Sequence, residues 1–158
     1  MKIMKWDTDE YDEDGKLIVL YRFQRILDDG MVKPGDRVLD VGGWGKLEHR
    51  LSQEGCIVDL INIDGKECSR IRSQYNSFSI IEGDIRTYDL DPDSYDAVVC
   101  FETLEHIIED RELAIERMFR ALKPGGKIIG TIPIPGMCHP VDDPTVRFVS
   151  PGELQDIL

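Results

Sequence analysis

The sequence predicts an α/β protein: a doubly wound, three-layer arrangement in which helices cover both faces of a mostly parallel sheet. Three observations predict it. Short apolar, partly β-branched segments alternate along the chain with segments of helical period. Turn signals built from Gly, Pro, Asp and Ser separate them. Three glycines follow directly on the first apolar strand, in the stretch Val38 to Leu51, VLDVGGWGKLEHRL.

The elements follow in order. From Lys16 to Asp29, Val19, Phe23, Ile26 and Leu27 fall at i, i+4, i+7 and i+8, one face of a helix that Gly30 ends. Lys33-Pro34-Gly35-Asp36 is a turn, and Val38–Val41 reads as a buried strand. Lys46–Gln53 is a short helix with Gly55 after it, Ile57–Ile63 a strand, and Gly65–Tyr75 a helix. Ser79–Ile81 is a short strand leading into Glu82-Gly83-Asp84. Asp91-Pro92-Asp93-Ser94 is a turn and Ala97–Phe101 a strand. Asp110–Leu122 is a helix with Ala114, Ile115, Met118, Phe119 and Leu122 as its apolar stripe. Lys123-Pro124-Gly125-Gly126 stops it, and Lys127–Ile132 is the last strand. Ser150-Pro151-Gly152-Glu153 is a helix-start signal.

Composition bounds the function. A chain of 158 residues suits one core; residues 1–15 read as a flexible acidic lead-in and 16–158 as the domain. The net charge of -12, from 19 basic and 31 acidic residues, repels a phosphate backbone, so nucleic acid is not the expected partner. The acidity serves solubility equally well. No run of about 18 apolar residues exists, and the N-terminus lacks a secretory apolar core, so no membrane contact is expected. Cys56, Cys68, Cys100 and Cys138 are scattered without a CxxC pair. They read as reduced thiols of a cytoplasmic protein rather than as a disulfide framework or zinc site.

In a parallel sheet, ligands bind at the carboxyl ends of the strands, where strand order reverses. Gly42, Gly43 and Gly45 would let the backbone approach a ligand there, since no Cβ intervenes. A tight strand-to-helix turn without a ligand has the same composition. The acidic residues sharpen the reading. Asp64 ends the second strand, where a carboxylate can accept bonds from both ribose hydroxyls, at roughly 1.5–3 kcal/mol each. Asp84 follows the third strand, where it could accept from an adenine amino group. Each alone is equally a cap or turn former; three carboxylates at the ends of successive strands, Asp40 included, point to a nucleoside. A dinucleotide turn would need a third glycine where Glu48 stands.

The segments DVGGWG, INID, EGDI, YDAVVCFETLEH and LKPGGKIIGTIP, in this order, resemble the class I S-adenosylmethionine-dependent methyltransferases, in the broad group acting on small molecules, sugars and lipids. The resemblance covers about residues 37 to 133 and implies a Rossmann-like fold, S-adenosyl-L-methionine as cofactor and a small-molecule or carbohydrate-type acceptor. It implies these cofactor-binding residues: Asp40, Gly42, Gly43 and Gly45 for the methionine and ribose part, Asp64 for the ribose, Asp84 with Ile85 for the adenine, and Phe101 and Glu102 beside the methionine end. The family's first motif reads DxGxGxG; here Asp40 to Lys46 reads DVGGWGK, one residue shorter, with Trp44 inside the loop. A bulky residue there costs about 1–2 kcal/mol if the turn needs a positive φ.

Methyl transfer from a sulfonium is an in-line displacement helped chiefly by positioning, on the order of 7–11 kcal/mol. A general base is needed only where the acceptor must lose a proton. His106, just beyond the fourth strand, is the candidate base; packing and orienting its helix is the alternative. Glu102, Glu105 and His106 spell ExxEH, a pattern that resembles metal-holding relatives. In the RNA-methylating ones a second histidine comes from the tail; Thr145 stands there in this chain, with His139 displaced, so neither a metal nor RNA is expected. Relatives add two antiparallel strands after the last crossover helix, and the 25 residues after Pro133 hold no such pair. A bare fifth-strand edge would then pair two copies into a homodimer. The rival reading, from another class, is a weak or inactive methyltransferase-like interaction module.

Overall fold

The computed structural model describes residues 25–132. The chain divides into two compact units, Met1–Met31 and Val32–Leu158. In the first, residues 25–28 are helical and Gly30 follows at φ +64, a conformation that glycine adopts without Cβ strain. The rest of the expected first helix, the acidic lead-in and the expectations about residues 133–158, the missing strand pair among them, lie outside the described residues.

The second unit contains strands β1 (Arg37–Val41), β2 (Ile57–Asn62), β3 (Ser79–Glu82), β4 (Tyr95–Phe101) and β5 (Leu122–Thr131). Its helices are α1 (Lys46–Gln53), α2 (Gly65–Gln74) and α3 (Arg111–Ala121), with a 3-10 turn at Leu104–His106. All strand pairs are parallel, in the order β3-β2-β1-β4-β5. The chain builds outward from β1 to β3, then crosses back to β4 on the other side of β1. Strand order therefore reverses between β1 and β4, and in open parallel sheets ligands bind outside the carboxyl ends at such a point.

Alternation of side chains divides the core between the two faces. Leu39, Val41, Ile61, Val98 and Cys100 pack with Ala114, Ile115, Met118 and Ala121 of α3 in one cluster. Val38 and Asp40 point the opposite way, where Asp40 meets Glu48 of α1. Leu47 and Leu51 of α1 and Cys68 and Ile71 of α2 are buried. Among the described residues no helix is long and apolar enough to cross a membrane, and Cys56, Cys68 and Cys100 are buried free thiols.

Two elements differ from the sequence reading. Phe119 was expected in the apolar stripe of α3 but is 45% exposed. It sits about 100° around the helix from Met118, and the buried face runs through Arg111, Ala114, Ile115, Met118 and Ala121 instead. The Lys123–Gly126 breaker lies within β5 rather than ahead of it. Tyr95 pairs with Leu122 and Ala97 with Lys127, so the breaker loops out as a bulge and the ladder resumes beyond it.

Candidate functional site

Parallel register brings the ends of β1, β2, β3 and β4 to one rim, and most of the sequence-predicted residues gather there. Asp40 lies in β1 beside Leu60 and Val99. Gly42, Gly43 and Gly45 form the turn into α1; Gly42 has φ +78 and Gly45 φ +95. These two glycines take the left-handed positions, so Trp44 between them escapes the backbone strain that a bulky residue would carry. Its side chain is 68% exposed.

The turn is fitted to its neighbours. A Cβ on Gly42 would stand 2.5 Å from Thr103 Oγ1, and one on Gly45 would stand 2.7 Å from the Tyr75 ring. A Cβ on Gly43 would lie 2.1 Å from Glu48 Oε1 and 2.5 Å from Asp40 Oδ2. Thr103 Oγ1 lies within bonding distance of Val41 O (3.1 Å) and Phe101 O (3.0 Å), tying the ends of β1 and β4 across the reversal. Asn62 Nδ2 donates to Gly43 O at 3.2 Å, and Arg70 Nη2 donates to Trp44 O at 3.1 Å.

Asp40 is 2% exposed and Glu48 0%. Both are buried carboxyls, and they face each other. Burial, then the charge and hydrogen bond of Glu48, holds the Asp40 carboxyl well above the usual carboxylate range. Burial pushes Glu48 up to about 7, against the hydrogen bonds it receives. The two carboxyls crowd one buried site, and burial disfavours the charged form of both. The Asp40 side chain is packed with Glu48 against Gly43 of the turn.

Asp64 caps α2, its Oδ1 accepting from Lys66 N at 2.9 Å and Glu67 N at 3.3 Å. Both cap bonds fall on Oδ1, so Oδ2 is not engaged in the cap. Asp84 is held by Arg86, whose Nε donates to Oδ1 and Oδ2 at 3.0 Å and whose Nη2 donates to Oδ2 at 2.6 Å. The Arg86 guanidinium keeps the Asp84 carboxyl below its ordinary range. Arg86 Nη1 also reaches Glu109 O at 3.0 Å, so one side chain bridges the loops after β3 and before α3. The Ile85 side chain is in the core cluster.

Phe101 ends β4, and Glu102 follows in the left-handed region at φ +48, its N–H donating to Thr131 O at 3.2 Å. Non-glycine residues held there concentrate at functional sites. Of the ExxEH residues, Glu105 is fully buried while His106 is exposed on the 3-10 turn, so they do not converge. Among the described residues, no group of three His, Cys, Asp or Glu side chains is placed to hold a metal ion.

Sequence reasoning missed Glu48, Asn62, Thr103 and Arg86. One signal existed: Gly45-x-x-Glu48 has the spacing of a capping box, and Gly45 N does donate to Glu48 Oε2 at 3.0 Å. Asn62 and Thr103 reach partners distant in sequence, whereas Arg86 meets Asp84 two residues away and also reaches Glu109 O.

A family model described as a methyltransferase domain matches residues 39–130, more than half of the chain. The ubiquinone biosynthesis O-methyltransferase of Xanthomonas campestris pv. campestris is 36% identical over 103 residues, covering 60% of this chain and 42% of that protein. The carboxy-S-adenosyl-L-methionine synthase of Photobacterium profundum is 29% identical over 116 residues, covering 66% and 47%. The chain thus spans less than half the length of these curated relatives. Phosphoethanolamine N-methyltransferase 2 of Haemonchus contortus, solved with S-adenosyl-L-methionine, superposes with a TM-score of 0.71 at 22% identity, covering 87% of this chain and 35% of that one.

Proposed function

Because this chain belongs to the class I S-adenosylmethionine-dependent methyltransferases, we propose that it transfers a methyl group from S-adenosyl-L-methionine to a small-molecule or carbohydrate-type acceptor in the cytoplasm. The observation that carries the reading is the glycine turn at the carboxyl rim of a parallel sheet, beside the point where strand order reverses. The rim fits the donor on its own geometry. Gly42 and Gly45 take the left-handed φ that bends the turn at the rim, and Asp64 keeps Oδ2 outside its helix cap.

The donor supplies a methyl group on a sulfonium, an electrophile with a ready leaving group. In the proposal, Gly42 and Gly43 meet its methionine and ribose part with backbone. Asp64 Oδ2 accepts from the ribose hydroxyls. Asp84, held by Arg86, and the backbone of Ile85 border the adenine, and Phe101 and Glu102 line the methionine end. His106, exposed after β4, takes the proton of an acceptor that must lose one. The small-molecule class is supported by the relatives named ubiquinone biosynthesis O-methyltransferase. Self-association through the β5 edge completes the proposal, and light scattering of the full chain at high concentration checks it.

Calorimetric titration with S-adenosylhomocysteine tests the donor site. Asp64→Asn keeps a helix cap, since asparagine caps as well as aspartate, but weakens the acceptor for ribose. It should lower affinity roughly tenfold or more, the loss of one charge-assisted bond. Unchanged affinity would remove Asp64 from the site. A wild-type chain that takes up none would leave the interaction module as the better account. With a labelled methyl donor, a screen of candidate acceptors then identifies the substrate.

A further inference from the structure

Glu48 sits at the third position of α1, one turn beyond the glycine loop, and is fully buried. Burying a carboxyl is costly unless it is paired or hydrogen-bonded, and an apolar residue would fill a merely structural position more cheaply. Both oxygens of Glu48 instead meet the loop and its support. Oε2 accepts from Gly45 N at 3.0 Å. Oε1 lies with Asp40 Oδ2 directly under Gly43, where a Cβ would come within 2.1 Å of it.

The loop is thereby held at three consecutive residues. Gly43 O is fixed by Asn62, Trp44 O by Arg70 and Gly45 N by Glu48. The first two restraints come from β2 and α2, and the third from the buried side of α1. The loop is also one residue shorter than DxGxGxG, so its conformation depends more on what braces it.

We propose that Glu48 is a positioning residue of the donor site, bracing the shortened Gly42–Gly45 turn in the shape that receives the donor. The inference rests on the methyl-donor reading. It assigns Glu48 no contact with the donor itself. It acts through the Gly45 amide, bonded to its Oε2, and through Gly43, packed on the buried Glu48 and Asp40 carboxyls.

The test uses the full chain, S-adenosylhomocysteine titration and amide exchange at Gly45. Glu48→Gln keeps an acceptor for Gly45 N and can donate to Asp40. It should bind within about twofold of wild type and keep the Gly45 amide protected. Glu48→Met fills the same space without an acceptor. It should bind roughly tenfold or more weakly, with Gly45 exchange faster by a similar factor while the β1 and β4 amides keep their protection. Should Glu48→Met fail to fold, Glu48→Asp, a methylene too short to reach Gly45, replaces it with the same expected losses. Wild-type affinity in a folded Met or Asp variant would overturn the inference, as would a Gln variant as weak as these. If the wild type binds no S-adenosylhomocysteine, the donor reading falls instead. Gly45 exchange in the same variants then still decides whether Glu48 braces the turn.

Discussion

At Gly43 the obstacle to any other residue is contact. A Cβ would meet Glu48 Oε1 at 2.1 Å and Asp40 Oδ2 at 2.5 Å, both on buried carboxyls with little room to retreat. Gly125 is the opposite case, with nothing within 4 Å of its Cβ position but a φ of +83. Alanine at Gly43 should therefore cost about 1–3 kcal/mol through overpacking, and alanine at Gly125 about 1–2 kcal/mol through backbone strain alone. Denaturant midpoints separate the two, because the Gly43 variant should also lose affinity for S-adenosylhomocysteine while the Gly125 variant keeps it. The sequence showed that these positions are glycine and that one cluster follows a strand. It did not show which glycine is required by φ and which by a neighbour, since the neighbours of Gly43 and Gly45 come from other elements.

Between elements, the amino ends of β1, β2 and β4 are tied by one carboxylate. Asp59 Oδ2 accepts from Arg37 Nε at 3.1 Å, Arg37 Nη2 at 2.9 Å and Tyr95 OH at 3.0 Å. The Arg37 guanidinium also stacks over the Tyr95 ring at 4.8 Å. Burial, followed by the neighbouring Asp59 charge, raises the Tyr95 hydroxyl far above its ordinary value. Asp59→Ala leaves that buried hydroxyl without its acceptor and should cost about 1–3 kcal/mol. Adding Tyr95→Phe should recover part of the loss, so a double-mutant cycle by thermal unfolding should give a coupling above about 0.5 kcal/mol. Element order was legible in the sequence because period and turn chemistry are local. The bulge in β5 was not, because Lys123–Gly126 reads as a plain stop until the pairing with β4 carries the ladder past it.

For the whole molecule, the buried Asp40 and Glu48 pair sets a direction for stability against pH. Glu48 titrates at about 7 when folded and near 4.5 in the absence of burial. The folded state thus holds more protons in this interval, and its stability falls as pH rises from about 4.5 to about 7. Self-repulsion within a chain of net charge -12 acts in the same direction. Asp84 and Asp96, lowered by Arg86 and Lys123, act oppositely and only in acid, losing their contribution as pH falls through their depressed values. Unfolding midpoints should decline across pH 4.5–7, and Glu48→Gln should flatten that decline; an unchanged slope would mean that the pair is not the source. The sequence by itself determined the alternation of strands and helices, the glycine turn after β1 and the acidic residues at the ends of successive strands, because each is written in neighbouring residues. Only the tertiary structure decided that Asp40 faces Glu48, that Arg86 reaches Glu109 O and that Thr103 joins β1 to β4. Those contacts exist only once helix docking and parallel pairing bring separate elements to one edge.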